Sequence, residues 1–227
     1  MTRPRPHSNF QRGINAMIRH LLLALLLLLP WSGPVLAAEP PPDQVIQQIT
    51  DRMIALILQE KSRFDREPQH FYQAIDQLMT PASDFDRIAK GVMGKYYRQA
   101  SDAQRKRFAG VFKERMLQTY AKAFMNFDNQ KIVVLPYRPQ PGDEPGQASV
   151  MMEVHGHDGT IYPVAYSMFL DDARQWRVQN VIVNGINLGL TFRSQFASSM
   201  DQKQNIDQVI DGWSAELDEV NKVTRKG

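Results

Sequence analysis

The stretch VIVNGINLGLTFRSQF, residues 181–196, changes character halfway along. Its first three residues are β-branched and favour a strand, and Asn184-Gly185 is a strong hairpin signal. No second strand is apparent afterwards. An apolar, glycine-containing INLGL leads instead into TFRSQF, where Phe192 and Phe196 share one face of a helix. We therefore predict that this segment ends a sheet, continues as an apolar wall and then becomes a helix.

The periodicity of the remaining chain predicts helices, then a sheet, then helices again. Ser101 and Gln104 form a capping box, which marks a helix start, and Asp158-Gly159 marks a hairpin turn. Helical spacing covers residues 43–61, 69–79, 83–97, 101–127, 190–200 and 205–220. Strand spacing covers residues 131–137, 148–154, 161–170 and 175–183. This order predicts an α+β fold, a curved four-stranded antiparallel sheet covered by N- and C-terminal helices.

The first 37 residues are typical of a signal peptide. Arginines precede the apolar run Leu21–Leu29, and the small-residue sequence VLAA follows. The run is shorter than the roughly 20 residues that a membrane span needs. We place cleavage after Ala37, with a flexible leader over residues 38–43 and a single domain over 38–227. Met17 is a second candidate start, because MIRH alone supplies a basic segment.

The charge of the mature chain excludes one class of partner. The full chain carries 27 basic and 24 acidic residues, and four of the arginines lie in residues 1–37. Removing them leaves 23 against 24, a net charge of −1, so electrostatic binding to nucleic acid is not expected. The sequence has no cysteine, which excludes thiol catalysis and lipid anchoring through cysteine. A long secreted chain without disulfides favours a bacterial periplasmic protein.

No motif predicts catalysis or a metal site. GxSxG and SxxK are absent. His155, His157 and Asp158 are ligand types, but they lie at a predicted hairpin tip, where turn formation explains them better. We expect no enzyme activity, no metal and no cofactor.

The apolar residues of the predicted inward faces are long or soft. Methionine adapts to irregular surfaces and is common at binding sites. Composition does not distinguish a filled core from a lined cavity. The residue pattern alone therefore predicts a helix-covered sheet, without deciding whether the space between helices and sheet is filled or open.

Two long segments carry a resemblance to a known family. They are FDRIAKGVMGKYYRQASDAQRKRFAGVFKERMLQTYA, Phe85–Ala121, and WRVQNVIVNGINLGLTFRSQF, Trp176–Phe196. The mature chain resembles the MlaC family, also called toluene tolerance or ABC-transporter auxiliary proteins. One departure is visible: family members often have E-G-V-S-L at the turn, where this chain has Asn184-Gly185-Ile186-Asn187-Leu188.

The resemblance implies a monomeric periplasmic carrier of glycerophospholipid, with acyl chains held in an apolar cavity between helices and sheet. It implies transfer between an outer-membrane lipoprotein–porin complex and an inner-membrane ABC transporter with an MCE-domain subunit, which maintains outer-membrane lipid asymmetry. The residues expected to line the cavity are Phe112, Met116, Tyr120, Val150, Met152, Val164, Tyr166, Met168, Val178 and Ile182, with Leu188 and Leu190 at its edge. Local basic residues could dock partners, and one patch for this purpose is expected to consist of Arg98, Arg105, Lys106 and Arg107.

Two other functions stay open at this point. A curved α+β fold also hosts isomerases and dehydratases, and Tyr120 and Tyr166 are the inward candidates for a catalytic pair. A module that binds partners through a solid core is the third hypothesis.

Overall fold

The computed structural model describes residues 39–139 and 143–214, apart from the side chain of Lys122. The predicted signal peptide over residues 1–37 and the end of the last predicted helix lie outside these ranges. Helix α1 already begins at Pro42. The backbone N–H of Tyr137 donates to the Asp43 carboxylate at 3.1 Å. The predicted flexible leader over residues 38–43 is therefore too long, because residues 42 and 43 belong to α1.

Several helices begin at a residue whose side chain caps them, whereas the first two begin at a proline without such a hydrogen bond. The elements are α1 (Pro42–Glu60), α2 (Pro68–Met79), α3 (Phe85–Met93), a 3₁₀ helix (Gly94–Arg98), α4 (Asp102–Met125), α5 (Leu188–Lys203) and α6, whose described part is residues 206–214. The capping box is confirmed: the N–H of Ser101 donates to Gln104 at 2.9 Å, and the N–H of Gln104 donates back at 3.2 Å. Helix α3 is shorter than predicted, because Gly94 adopts a φ of 54° and ends it.

The sheet is an antiparallel meander whose strands follow chain order. Its strands are β1 (Lys131–Val134), β2 (Gln147–His155), β3 (Ile161–Leu170), β4 (Trp176–Val183) and β5 (Ile186–Asn187). The prediction of four strands is wrong, because Ile186 pairs with Val183 and Asn187 with Ile182. Asn184 and Gly185 both have positive φ, at 48° and 80°. This is the backbone that a tight two-residue hairpin requires, so the segment forms a very short hairpin.

A β-bulge in β4 changes which residues share a face. Ser167 pairs with Asn180, whereas its neighbour Met168 pairs with Val178, so Gln179 is the extra residue. Because side chains alternate along a strand, one extra residue moves every later side chain to the opposite face. Val178 and Val181, three residues apart, therefore lie on the same side of the sheet.

Helix α5 begins at Leu188, at the end of this hairpin and two residues before the predicted start at residue 190. The side chain of Asn187 caps it and accepts from the N–H of Leu190 at 3.0 Å. Asn180 of β4 accepts from the N–H of Gly189 at 3.0 Å and donates to Asn187 at 3.1 Å. Two asparagines thus satisfy amide groups that a helix start leaves unpaired.

Residue 189 must be glycine because the Asn180 side chain packs closely against it, and not because of its backbone conformation. A Cβ at residue 189 would lie 2.6 Å from the Asn180 side-chain oxygen. We expect Gly189→Ala to displace Asn180 and lower the free energy of unfolding by about 1–2 kcal/mol, the cost of a lost cap. Gly91→Ala, in the middle of α3 with open space around its Cβ, should instead stabilise by about 0.5–1 kcal/mol. Thermal unfolding of both variants would test this, and equal shifts in one direction would contradict it.

Most buried apolar residues of the described chain fall into three separate clusters. The helical core joins α3, α4, α5 and α6, and includes Phe108, Phe112, Phe196 and Trp213. The hairpin core joins α1, α2 and α4 around Ile57, Phe71, Ile75 and Ala121. The sheet core joins α1 to the sheet through Ile46, Ala148, Val150, Met168 and Val178. Helix α1 therefore belongs to two cores.

Candidate functional site

The helices approach the sheet mainly at its two sides. Helix α1 lies against β1 and β2, whereas α3 and α5 lie against β4. The segment before α3 extends this second contact, because Ser83 bridges to Val178 and the N–H of Val178 donates to Ala82 at 2.9 Å. The central strand β3 lies between these two lines of contact. On the side of β3 that carries Tyr166 and Met168, the packed apolar cluster combines residues of α1 with residues of the sheet, and we call this side helix-facing.

The cross-strand register places most of the predicted lining residues on this face. Ala148, Met168 and Val178 form one row, Val150, Tyr166 and Val181 the next, and Met152, Val164 and Val183 the third. Val150 and Met168 are fully buried, and Met152, Val164 and Val178 nearly so. Tyr166 and Val181 are only partly buried. The face is thus continuous, apolar and incompletely covered at its centre.

The prediction that Ile182 faces inward is wrong. Ile182 pairs with Ala165, on the opposite side of the sheet from Tyr166, because of the bulge at Gln179. Val181 takes its place and packs on the sheet core. The sequence carried a signal for this change, since two polar residues, Gln179 and Asn180, separate Val178 from Val181 where strict alternation allows one.

The predicted residues of α4 do not join the sheet residues in one cluster. Phe112 is buried in the helical core, with its ring 5.4 Å from that of Phe192. Met116 packs on the same core and is partly buried. Tyr120 lies one turn further and is half-buried, which raises the pKa of its phenol through desolvation. Of the two predicted edge residues, Leu188 is half-buried and Leu190 is 58% exposed.

Two hydroxyl groups meet one thioether on the helix-facing side. The Thr50 hydroxyl of α1 lies 3.8 Å from the Met152 sulfur, and the Tyr166 hydroxyl lies 3.9 Å from it. Protein atoms surround Tyr166 on nearly all sides, and this desolvation raises its pKa to about 12. Its side chain nevertheless keeps accessible surface. Tyr166 is thus largely but not completely enclosed by protein.

The Tyr166 phenol makes stability depend on alkaline pH. Its pKa is raised on folding, so the neutral form is favoured in the folded state. The stability is complete below pH 10 and is lost as the pH rises from 10 towards 12, up to roughly 2–3 kcal/mol. We expect Tyr166→Phe to remove this part of the alkaline loss. Urea unfolding at pH 8 and pH 11 would measure it, and an unchanged difference between the two pH values would contradict the assignment.

A cleft of about 500 Å³ lies apart from the helix-facing sheet surface. It is lined by Thr80, Ser83, Asp84, Phe85, Asp86, Lys106, Ala109, Gly110, Lys113, Asp171 and Arg177. Several of its charges are paired: Lys113 with Asp76 at 2.9 Å and Arg177 with Asp171 at 2.8 Å. Hydrogen bonds from the backbone N–H of Gln175 and from the Arg177 side chain lower the pKa of the Asp171 carboxyl. A charged, open cleft does not suit long apolar ligands.

The four predicted docking residues do not form one patch. Consecutive helical residues point about 100° apart. Arg105 donates to the Tyr97 carbonyl at 2.9 Å, Lys106 lines the cleft, and Arg107 pairs with Asp207 and Asp211 of α6. Arg98 is exposed at the end of the 3₁₀ helix. A single basic surface is therefore wrong as geometry, and a docking role for any one residue stays a prediction.

The histidine hairpin is built as a turn. The carboxylate of Asp158 accepts from the Thr160 N–H at 3.0 Å, and Gly159 has a φ of 82°. His155 pairs with Glu153 at 3.0 Å. Within the described residues, no group of three His, Cys, Asp or Glu side chains is arranged to hold a metal ion. None of the helices in these ranges combines the length and hydropathy needed to cross a bilayer.

Comparison with solved structures supports the fold. The described chain is similar to a phospholipid-binding protein from Ralstonia solanacearum, solved in complex with a phospholipid. The TM-score is 0.67 at 25% identity, covering 78% of this chain and 99% of that one. Both share the α+β arrangement of helices on an antiparallel sheet.

Comparison with characterised sequences places the chain in a family. It is 38% identical over 203 residues to the toluene tolerance protein ttg2D of Pseudomonas putida, covering 88% of this chain and 93% of that protein. It is 30% identical over 97 residues to the intermembrane phospholipid transport system binding protein MlaC of Haemophilus influenzae, covering 43% of this chain and 45% of that protein. The model of the MlaC protein family matches residues 47–215. The chain therefore belongs to the MlaC (toluene tolerance) family.

Proposed function

We propose that this protein binds glycerophospholipid, with the acyl chains lying between the helices and the helix-facing side of β3. The observation that carries the proposal is the partly uncovered centre of that face. Tyr166 and Val181 keep accessible surface there, although fully buried residues flank them. The similarity to a protein solved with a bound phospholipid supports the same ligand class.

The chemistry of the face suits acyl chains. Each methylene removed from water contributes about 0.8 kcal/mol, so two chains can be held without charged contacts. The rows from Val150 to Val181 and from Met152 to Val183 supply aliphatic, thioether and phenol surfaces. The separate cores also help, because α1 can shift relative to α5 without breaking a common buried cluster. We infer that lipid enters by separation of the helices over β3.

The proposed role is that of a periplasmic shuttle. A monomeric carrier delivered by the signal peptide would exchange lipid between an outer-membrane complex and an inner-membrane ABC transporter with an MCE-domain subunit, and so maintain outer-membrane lipid asymmetry. Family membership and the net charge of −1 for residues 38–227 support this. A carrier of nearly neutral charge is not held at anionic membrane surfaces. Binding and release need no covalent step and no cofactor, and we propose no enzyme activity.

Native mass spectrometry of the mature protein tests the ligand class. The protein is purified from bacteria, and the mass of the intact complex is compared with that of the denatured chain. We expect a difference equal to one phospholipid, and reuptake of phospholipid from vesicles after delipidation. A uniformly lipid-free protein that takes up no phospholipid would contradict the proposal.

A further inference from the structure

The Thr50–Met152–Tyr166 contact is unusual in its choice of acceptor. Two hydroxyls from different elements, α1 and β3, approach one sulfur atom at 3.8 and 3.9 Å. A thioether sulfur is a weak acceptor. Among the described residues, this sulfur is the hydrogen-bond partner found for both side-chain hydroxyls. Both hydroxyls therefore point at an acceptor that a ligand oxygen could improve upon.

The hydroxyl groups of Thr50 and Tyr166 lie where the proposed ligand would pass. Met152 and Tyr166 are diagonal neighbours on the helix-facing side of adjacent strands, since Met152 pairs with Val164 and Val150 with Tyr166. Thr50 approaches from the helix that covers β1 and β2. The two hydroxyls thus lie on opposite sides of the junction between helix and sheet. A ligand between the layers would pass within reach of both.

The apolar side chains around the Met152 sulfur favour a neutral ligand oxygen over a charged one as its replacement. The sheet core next to the pair consists of aliphatic, thioether and aromatic side chains such as Ile46, Val150 and Met168. A phosphate or carboxylate would bring a charge that this apolar setting disfavours. A neutral carbonyl oxygen adjoining a hydrocarbon chain meets both requirements. The carboxylic ester group of an acyl lipid has this structure.

We propose that Thr50 and Tyr166 donate hydrogen bonds to an ester carbonyl of the bound lipid, so that the protein distinguishes acyl esters from alkyl ethers. This inference rests on the proposed lipid-binding function. The carbonyl takes the place of the Met152 sulfur as acceptor. The hydroxyls therefore contribute selectivity for the linkage, whereas the surrounding apolar face contributes most of the affinity.

The test compares two phospholipids with the same headgroup and the same chains, one a diester and the other a dialkyl ether. The delipidated mature protein competes for both in detergent-free mixed vesicles, and native mass spectrometry counts the two complexes. We expect the wild type to favour the diester about tenfold. Thr50→Val and Tyr166→Phe should each reduce this preference roughly threefold to fivefold, the value of a neutral hydrogen bond. The double variant should bind the two lipids equally.

The matched control is Met152→Leu, which removes the sulfur and leaves both hydroxyls. It should keep the preference for the diester, because the carbonyl and not the sulfur is the acceptor in the complex. A cooperative thermal unfolding transition of the double variant, close to that of the wild type, would show that its fold is intact.

Three results would overturn the inference: equal binding of the two lipids by the wild type, a preference that survives in the double variant, or a preference abolished by Met152→Leu. If the wild type takes up neither lipid, the proposed function itself fails, and the inference fails with it. Uptake of both lipids without preference leaves the proposed function standing and removes the inference alone.

Discussion

Met152→Glu is expected to lower the amount of bound phospholipid more than tenfold. Met152 is 6% exposed and lies on the helix-facing side of β2, beside Val164 and the hydroxyl of Tyr166. The adjoining sheet core is built of apolar side chains, and burying a carboxylate in such a setting is costly. The ionised side chain would therefore draw water into the space that the acyl chains need. Phospholipid extracted per mole of purified protein measures the effect.

The neighbouring residue provides the control. Met151 is 40% exposed and lies on the opposite face of the same strand. Met151→Glu should keep the wild-type lipid content and nearly the wild-type melting temperature. Met152→Gln, which is polar but uncharged, should fall between the two. Normal lipid content in a folded Met152→Glu protein would show that acyl chains do not lie on this face.

Phe108→Ala is expected to cause the largest loss of stability, about 3–5 kcal/mol. Phe108 is fully buried at the centre of the helical core. Its ring centroid lies 4.9 Å from that of Phe196 and 5.4 Å from that of Trp213, both in edge-on geometry. Truncation would leave a cavity between α4, α5 and α6 and remove these aromatic contacts. Chemical denaturation gives the free energy of unfolding directly.

Tyr162→Ala serves as the comparison for this variant. Tyr162 is an aromatic residue at the start of β3 and is 39% exposed, so its removal should cost less than about 1 kcal/mol. If Phe108→Ala cost no more than Tyr162→Ala, the helical core would not be the main support of α4 and α5.

The elements with strong local signals could be predicted from the sequence. The capping box at Ser101, the Asp158-Gly159 turn and the alternation in β2 and β3 depend on nearby residues, and the structure has all three. The two-residue strand β5 could not be predicted in this way. It forms because the Asn184-Gly185 turn brings Ile186 back to Val183, and two residues are too few to show a period.

The candidate face was predictable in part. Val150, Met152, Val164, Met168 and Val178 lie where strict alternation places them. Ile182 does not, because the extra residue Gln179 turns every later side chain of β4 to the opposite face. The role of Thr50 was also missed, since its contact with Met152 joins residues 102 positions apart. Long-range contacts of this kind depend on how the layers pack, which local periodicity does not encode.

The most direct test of the account asks where the acyl chains lie. A phospholipid with a photoactivatable group in the middle of one acyl chain is bound to the delipidated protein, irradiated, and mapped by peptide mass spectrometry. Acyl chains that lie between the helices and the sheet should give adducts on the helix-facing side of the central strands, at Val164 or Val181. Adducts confined to the opposite face, at Met151 or Ile182, or to the charged cleft around Lys106, would contradict it.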